Sequence, residues 1–211
     1  GVQTCALPIF QYKPLNIISA GEFNSVQAAP VALNTSFTII KSWGEKQLTE
    51  LNYFTPEKAS EIFSPLHNFR SEKNFTPLNV VVIILESFSK EYIGAYNPPS
   101  HYTPFLDSLI SESLSFPESF ANGKRSIDGI PAIVASLPAL SREPFITSIY
   151  SGNPFNSLPQ LLRRKNYSTA FFHGGNNGTM GFDHFARMAG FEKYYGRTEY
   201  NNDKDYDGTW G

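Results

Sequence analysis

A single cysteine, Cys5, serves a chain of 211 residues. One thiol excludes an internal disulfide and a thiolate zinc cluster. Charge is also scarce, with Asp, Glu, Lys and Arg at 17% against roughly 25% in ordinary soluble domains. Seventeen basic and nineteen acidic side chains leave a net charge of -2. That balance does not favour a nucleic-acid backbone, whose binders carry clustered positive charge, so no nucleic-acid partner is expected. Long apolar runs are missing too. The longest, Val80 to Leu85, falls far short of the ~20 residues a membrane helix needs, so the segment as given is expected to be soluble. Apolar residues reach 41% and aromatics 15%, which argues against disorder. A chain of this length forms one large domain or two small ones and buries roughly 70% of its unfolded surface.

The organisation changes along the chain. Gly1 to Ile9, GVQTCALPI, reads as foreign to the fold and resembles the translated read of a sequencing adapter. With no initial methionine and a stop at Gly211, the chain is expected to be a fragment. Residues 10–77 are poorly periodic and read as a lead-in or linker, with a helix start at Thr55-Pro56-Glu57-Lys58. From Leu78 the pattern sharpens into a domain portion covering 78–211. Val80–Leu85 is a β-branched run of the kind that forms a strand buried on both faces of a parallel sheet. Pro104–Ser113 predicts an amphipathic helix capped by Thr103, with Phe105, Leu106, Leu109 and Ile110 on one face. Leu114–Phe120 predicts a second strand and Ile130–Leu137 a helix containing Pro131. Ser157–Lys165 predicts a helix with Leu158, Leu161 and Leu162 inward, Tyr167–Phe172 a strand, and Phe182–Ala189 a helix. That alternation is the mark of an α/β fold.

Ligands of open α/β sheets gather beyond the carboxyl ends of the strands. Glu86 falls there, directly after Leu85. A carboxylate ending a buried strand must be paired, hydrogen-bonded or metal-bound, and capping the next turn satisfies the pattern equally well. Asn122-Gly123-Lys124-Arg125-Ser126-Ile127-Asp128-Gly129 lies between a strand and a helix. Its helix start suits an anionic phosphoryl group, Lys124 and Arg125 add positive charge, and Ser126 offers a nucleophilic hydroxyl. An ordinary serine N-cap beside solvated basic residues fits the same letters. The stretch is neither a P-loop, since Glu118 and Arg125 occupy required Gly and Ser/Thr positions, nor a G-x-S-x-G elbow. His173-Gly174-Gly175-Asn176-Asn177-Gly178 follows the Tyr167–Phe172 strand and offers either a phosphate-side histidine or a glycine-rich turn. G-x-G-x-x-G is absent, and His67, His101 and His184 read as structural or surface residues. Asp203-Lys204-Asp205-Tyr206-Asp207-Gly208 matches the opening of a calcium loop without its helical flanks, and a solvated acidic loop is the better reading.

Taken together, Val80–Leu85 with Glu86-Ser87, Tyr102-Thr103-Pro104-Phe105-Leu106, Gly123–Gly129 and Phe172-His173-Gly174 resemble the lipoteichoic acid synthase-like branch of the sulfatase family, within the alkaline phosphatase superfamily. The resemblance covers about residues 78–211. It implies a three-layer α/β/α sandwich with a mainly parallel central sheet, here truncated. It also implies a catalytic domain on the extracytoplasmic (periplasmic) face of the bacterial inner membrane, anchored by upstream helices. The implied chemistry is transfer of a phosphoglycerol-type group through a covalent hydroxyl intermediate, with a phospholipid or envelope glycan as substrate. Manganese is the implied divalent metal, with zinc and magnesium as alternatives. Carried over by residue, Glu86 fits the first metal carboxylate. Ser126 fits the nucleophile and a metal ligand, where the synthases have threonine. His173 fits the substrate-side histidine, with Lys124 and Arg125 beside the phosphoryl group.

Three departures qualify the resemblance. The family's late Asp-His ligand pair has no counterpart before Gly211. The synthases' Phe-Trp-Asn-Arg stands here as Met180-Gly181-Phe182-Asp183, which removes an aromatic wall and a cation beside a glycerol phosphate. Ser126 is followed by Ile127-Asp128, without the proline two residues on that a formylglycine sulfatase needs. The expected activity is therefore a metal-dependent transferase or phosphodiesterase. A phosphate- or sulfate-ester hydrolase on the same fold, or a catalytically inactive binding domain, is the alternative.

Overall fold

The computed structural model describes residues 51–68, 74–202 and Lys204, with Ser36, Ile39, Ile40, Trp43 and Leu48 before them. Cys5, the Gly1–Ile9 segment and the aspartates 203, 205 and 207 lie outside the described residues, as does most of 10–50. The chain divides into two compact units, one of residues 47–119 and one holding everything from residue 120 onward.

In the 47–119 unit, α1 (Pro56–Ile62) begins where the sequence places it. Thr55 is the extended N-cap, and its hydroxyl accepts the Lys58 N–H at 3.4 Å. Helix α2 (Pro104–Ser111) also starts on proline. Thr103 does not cap it as expected; its hydroxyl accepts the Gly94 N–H (3.0 Å) and donates to Asp107 Oδ1 (2.8 Å). Asp107 Oδ1 also accepts the Ala95 N–H at 2.9 Å, so a polar staple fastens the preceding loop to the first turn. A Cβ on Gly94 would overlap that carboxylate. Phe105 and Leu109, expected inward, are exposed.

Two expected strands are not formed. Val80–Leu85 has no regular structure, and its side chains are 44–82% exposed. Leu114–Phe120 is a turn-rich segment in which the Ser119 hydroxyl donates to the Phe116 carbonyl. The reason is pairing: β-branched composition favours extended backbone, but a strand exists only when a neighbour takes up its N–H and C=O groups. Among the described residues the paired strands lie in the other unit.

That unit runs α3 (Ser126–Ala135), α4 (Leu158–Arg163), β1 (Ala170–Phe172), α5 (Phe182–Met188), β2 (Lys193–Tyr195) and α6 (Arg197–Tyr200). Strands β1 and β2 pair in parallel, Phe171 opposite Tyr194 and Phe172 opposite Tyr195, with α5 as the crossover. This βαβ unit bears out the α/β class, although the expected Tyr167–Phe172 strand shortens to three residues. Cross-strand rings stack on both faces: Phe171 on Tyr194 at 5.8 Å and Phe172 on Tyr195 at 4.8 Å.

One core joins these elements. Ile127, Ile130 and Val134 of α3 meet Ile146, Phe171, and Phe182, Phe185, Ala186 and Ala189 on and after α5. Phe182 and Ile146 are 1% exposed, each burial contributing about 1.5–3 kcal/mol. Helix α4 is turned from its expected orientation, with Leu158 and Leu161 exposed and Pro159 buried. A polar clamp sets that rotation. The Ser157 hydroxyl donates to the Ala189 carbonyl and accepts the Gln160 N–H, while the Gln160 amide donates to the Met188 carbonyl. No helix among the described residues is long and apolar enough to cross a membrane.

Candidate functional site

The start of α3 carries the first group of residues. Arg125, extended at φ −124° and ψ 153°, is the N-cap, and Ser126 is the first helical residue. Ser126 is thus not the cap that its letter suggests; it is half-buried at N1. The Arg125 carbonyl accepts the N–H groups of Asp128 and Gly129, both at 2.9 Å. Its guanidinium forks onto the Asp128 carboxylate, Nε to Oδ2 at 2.9 Å and Nη2 to Oδ1 at 3.3 Å. The hydrogen bond and then the charge of Asp128 raise the Arg125 pKa. Asp128 in turn sits in the first turn, where the helix dipole favours an anion. Lys124 is exposed.

The loop before α3 wraps this turn closely. A Cβ on Gly123 would lie 2.6 Å from the Asp128 Cβ and 2.8 Å from backbone atoms of Asp128 and Gly129. Asn122 Oδ1 accepts the Ala139 N–H at 2.8 Å and ties the loop to the chain beyond the helix. Ile127, Ile130 and Val134 anchor α3 in the core, and Ser136 ends the helix with φ +53°.

The second group gathers after β1 and β2. The His173 N–H continues the ladder by donating to the Tyr195 carbonyl at 2.9 Å. The His173 ring is half-buried and its Nε2 is screened from solvent. Its Nδ1 lies 3.0 Å from the Tyr194 hydroxyl, and Phe182 meets the ring edge-to-face at 4.9 Å and 88°. Burial lowers the His173 pKa, against a smaller raising effect of Asp183. His184, read from sequence as structural or surface, is also partly buried, and desolvation followed by the Arg187 charge lowers its pKa.

The loop after His173 is clasped to α6. The Asn177 amide donates to both Glu199 oxygens (3.1 and 2.9 Å), and its Oδ1 accepts the Thr198 N–H at 3.1 Å. Glu199 also accepts the Gly196 N–H at 2.8 Å. Burial works to raise the Glu199 pKa, but the donors Asn177 and Gly196 hold it below the usual value. A Cβ on Gly196 would come within 2.5 Å of Asn177 Oδ1, so the clasp depends on glycine there.

Glu86 lies in the 47–119 unit, exposed, with the Ser87 hydroxyl donating to its Oε1 at 3.3 Å. Ser126, Lys124, Arg125 and His173 belong to the other unit, where α3 and β1 share one core. Among the described residues no group of three or more His, Cys, Asp or Glu side chains could hold a metal ion. Glu86 and Ser126 are two oxygen donors, fewer than the four or more a divalent ion takes. The described residues therefore do not complete a metal site.

Sequence reasoning missed Asp128, Tyr194, and the Asn177–Glu199 pair. The i,i+3 spacing of Arg125 and Asp128 at a helix start was available as a signal. The Tyr194 contact needs the β1–β2 register, which no local pattern supplies.

Comparison with known proteins fits this arrangement. Residues 78–211 match the Sulfatase family. Over 209 residues the chain is 23% identical to the lipoteichoic acid synthase-like protein YvgJ of Bacillus subtilis (strain 168), covering 98% of this chain and 31% of that protein. Among solved structures it resembles the lipoteichoic acid synthase LtaP of Listeria monocytogenes, with a TM-score of 0.52 and 25% identity. That likeness covers 59% of this chain and 30% of LtaP. The chain thus spans about a third of the length of these relatives. With an α/β fold and parallel strand pairing of the alkaline phosphatase-like kind, truncated, the chain belongs to the sulfatase family.

Proposed function

We propose that the protein of which this chain is part is a phosphoglycerol-type transferase or phosphodiesterase acting on a lipid head group or envelope glycan, with Ser126 as its nucleophile. The observation that carries the proposal is the placement of Ser126 at the first position of α3. A helix start directs backbone N–H groups and a positive dipole end toward an anion, the environment a phosphoryl group needs. Lys124 is exposed beside it to add charge. In the proposed step the Ser126 oxygen bonds to phosphorus while the bond to the departing alcohol breaks. The serine loses its proton and the departing alkoxide gains one. A glycan hydroxyl or water then cleaves the serine phosphoester. His173 serves on the substrate side, where it orients the phosphoryl group.

The similarity to YvgJ and LtaP supports an envelope substrate. On this reading the catalytic domain works on the extracytoplasmic face of a bacterial membrane, anchored by helices upstream. A divalent ion, manganese first, belongs to the reading by family resemblance. Because the described donors do not complete its site, the steps above rest on the chain's own groups. One observation favours a head group other than phosphatidylglycerol. Phe182 is committed to the core at 1% exposure, and Asp183 pairs with Arg187 at 3.3 Å. Neither supplies the aromatic wall and cation of the synthases.

The test uses the full-length, membrane-anchored protein supplied with manganese. Turnover of a chromogenic phosphodiester or of labelled lipid is followed, with mass spectrometry for a phosphoryl adduct on Ser126. Ser126→Ala abolishes turnover and the adduct and costs only about 1 kcal/mol of stability. Ser126→Thr keeps part of the activity. Wild-type turnover in Ser126→Ala would sink the covalent route.

A further inference from the structure

We propose that Tyr194 is the positioning residue for His173, holding the imidazole in the tautomer protonated on Nε2. The inference deepens the substrate-side reading of His173 and rests on it. Three contacts define the ring's setting. The Tyr194 hydroxyl lies 3.0 Å from Nδ1, Phe182 closes edge-to-face at 4.9 Å, and the His173 backbone is locked to Tyr195. Tyr194 is itself immobilised. It faces Phe171 directly in the parallel register and stacks on it at an interplanar angle of 7°. A phenol on a strand so fixed places its hydroxyl without loss of side-chain entropy at the moment of binding.

The direction of the bond follows from acidity and burial. A half-buried imidazole is neutral at physiological pH, and a neutral ring has one donor and one acceptor nitrogen. A phenolic O–H is the stronger acid of the two groups and therefore the better donor. The Tyr194 hydroxyl donates to Nδ1, and Nε2 carries the ring proton. That tautomer makes Nε2, which the fold screens from solvent, the ring's hydrogen-bond donor. The second nitrogen's partner sets the role of the first, as a general rule for functional histidines.

The sequence carries this device in Phe171-Phe172-His173 and Tyr194-Tyr195-Gly196. Each triplet runs off the same end of its strand, one ending in the imidazole and the other supplying the phenol two residues back in register. Replacing Tyr194 by Phe removes the hydroxyl alone and preserves the ring that packs on Phe171.

The experiment is a long-range proton–nitrogen spectrum of the full-length protein labelled with nitrogen-15 histidine, His173→Gln serving to assign the signal. Wild type shows an acceptor-like Nδ1 and a proton-bearing Nε2. In Tyr194→Phe the two nitrogens move toward a common averaged position, and kcat/KM falls roughly ten-fold, within the range a misoriented group produces. Unchanged nitrogens in Tyr194→Phe overturn the proposal, whatever the activity. If the nitrogens shift but both Tyr194→Phe and His173→Gln turn over like wild type, the substrate-side role of His173 falls and the positioning role with it. Should Tyr194→Phe fail to fold, wild-type protein grown on 3-fluorotyrosine gives the same answer. The more acidic phenol then moves the Nδ1 signal further toward the hydrogen-bonded limit, and a signal that stays put overturns the proposal.

Discussion

Arg125 and Asp128 close the first turn of α3 as a two-point fork, Nε to Oδ2 at 2.9 Å and Nη2 to Oδ1 at 3.3 Å. The guanidinium is largely exposed, whereas the Asp128 side chain is 11% exposed. The arginine therefore shapes the turn that presents Ser126 instead of reaching out as a second free cation beside Lys124. A double-mutant cycle separates the two roles. Arg125→Ala and Asp128→Asn each lower the thermal midpoint, and the double variant is no worse than the more damaging single one. Strictly additive effects would show that the fork is not formed in solution.

Gly123 and Gly129 make a matched pair of opposite sign. A methyl at Gly123 meets the Asp128 Cβ at 2.6 Å and backbone at 2.8 Å, whereas at Gly129 nothing lies within 4 Å. Gly123→Ala must push the loop off the helix start and costs about 1–3 kcal/mol. Gly129→Ala, inside α3, stabilises by about 0.4–1 kcal/mol. Denaturant midpoints of the two variants check both signs. Equal effects would mean that the loop does not pack on α3.

His173 and His184 both have lowered pKa values, chiefly through burial. Below about pH 6.5 the unfolded chain takes up protons at these positions that the folded chain resists. Stability from the two neutral rings is thus fully present above that pH and is lost as pH falls through the folded values. The thermal midpoint drops between pH 7.5 and 5.5, and His173→Gln with His184→Gln flattens the drop. A slope unchanged in the double variant would place the titration elsewhere.

Local chemistry made part of the fold legible. Thr55-Pro56 announced α1, and the periodicity of Phe182–Ala189 announced α5, because caps and 3.6-residue spacing act within one turn. Helix α3 was expected at Ile130–Leu137 and instead starts at Ser126; Ile127 continues the Ile130–Val134 face, but Ser126, Asp128 and Gly129 around it read as a loop. Strand β2, Lys193–Tyr195, went unread because three residues without a branched aliphatic side chain look like a turn. The candidate site divides along the same line. Ser126 and His173 were singled out from places read as following strands, of which only the strand before His173 is formed. The Asp128 fork, the Tyr194 hydroxyl and the Asn177–Glu199 clasp are consequences of register and packing, and the chain's letters do not state them.

The exposed ribbon at Val80–Leu85 has a consequence for biosynthesis. It is an uncharged hexapeptide rich in β-branched residues that stand exposed, the composition that seeds edge-to-edge association between chains. It leaves the ribosome about a hundred residues ahead of Lys193–Tyr195, on the order of ten seconds at ordinary elongation rates. For that interval the nascent chain displays an adhesive segment before the β1–β2 pair has formed. Chaperone demand and expression yield should therefore respond to a single charge placed in this ribbon more sharply than to substitutions anywhere in α3.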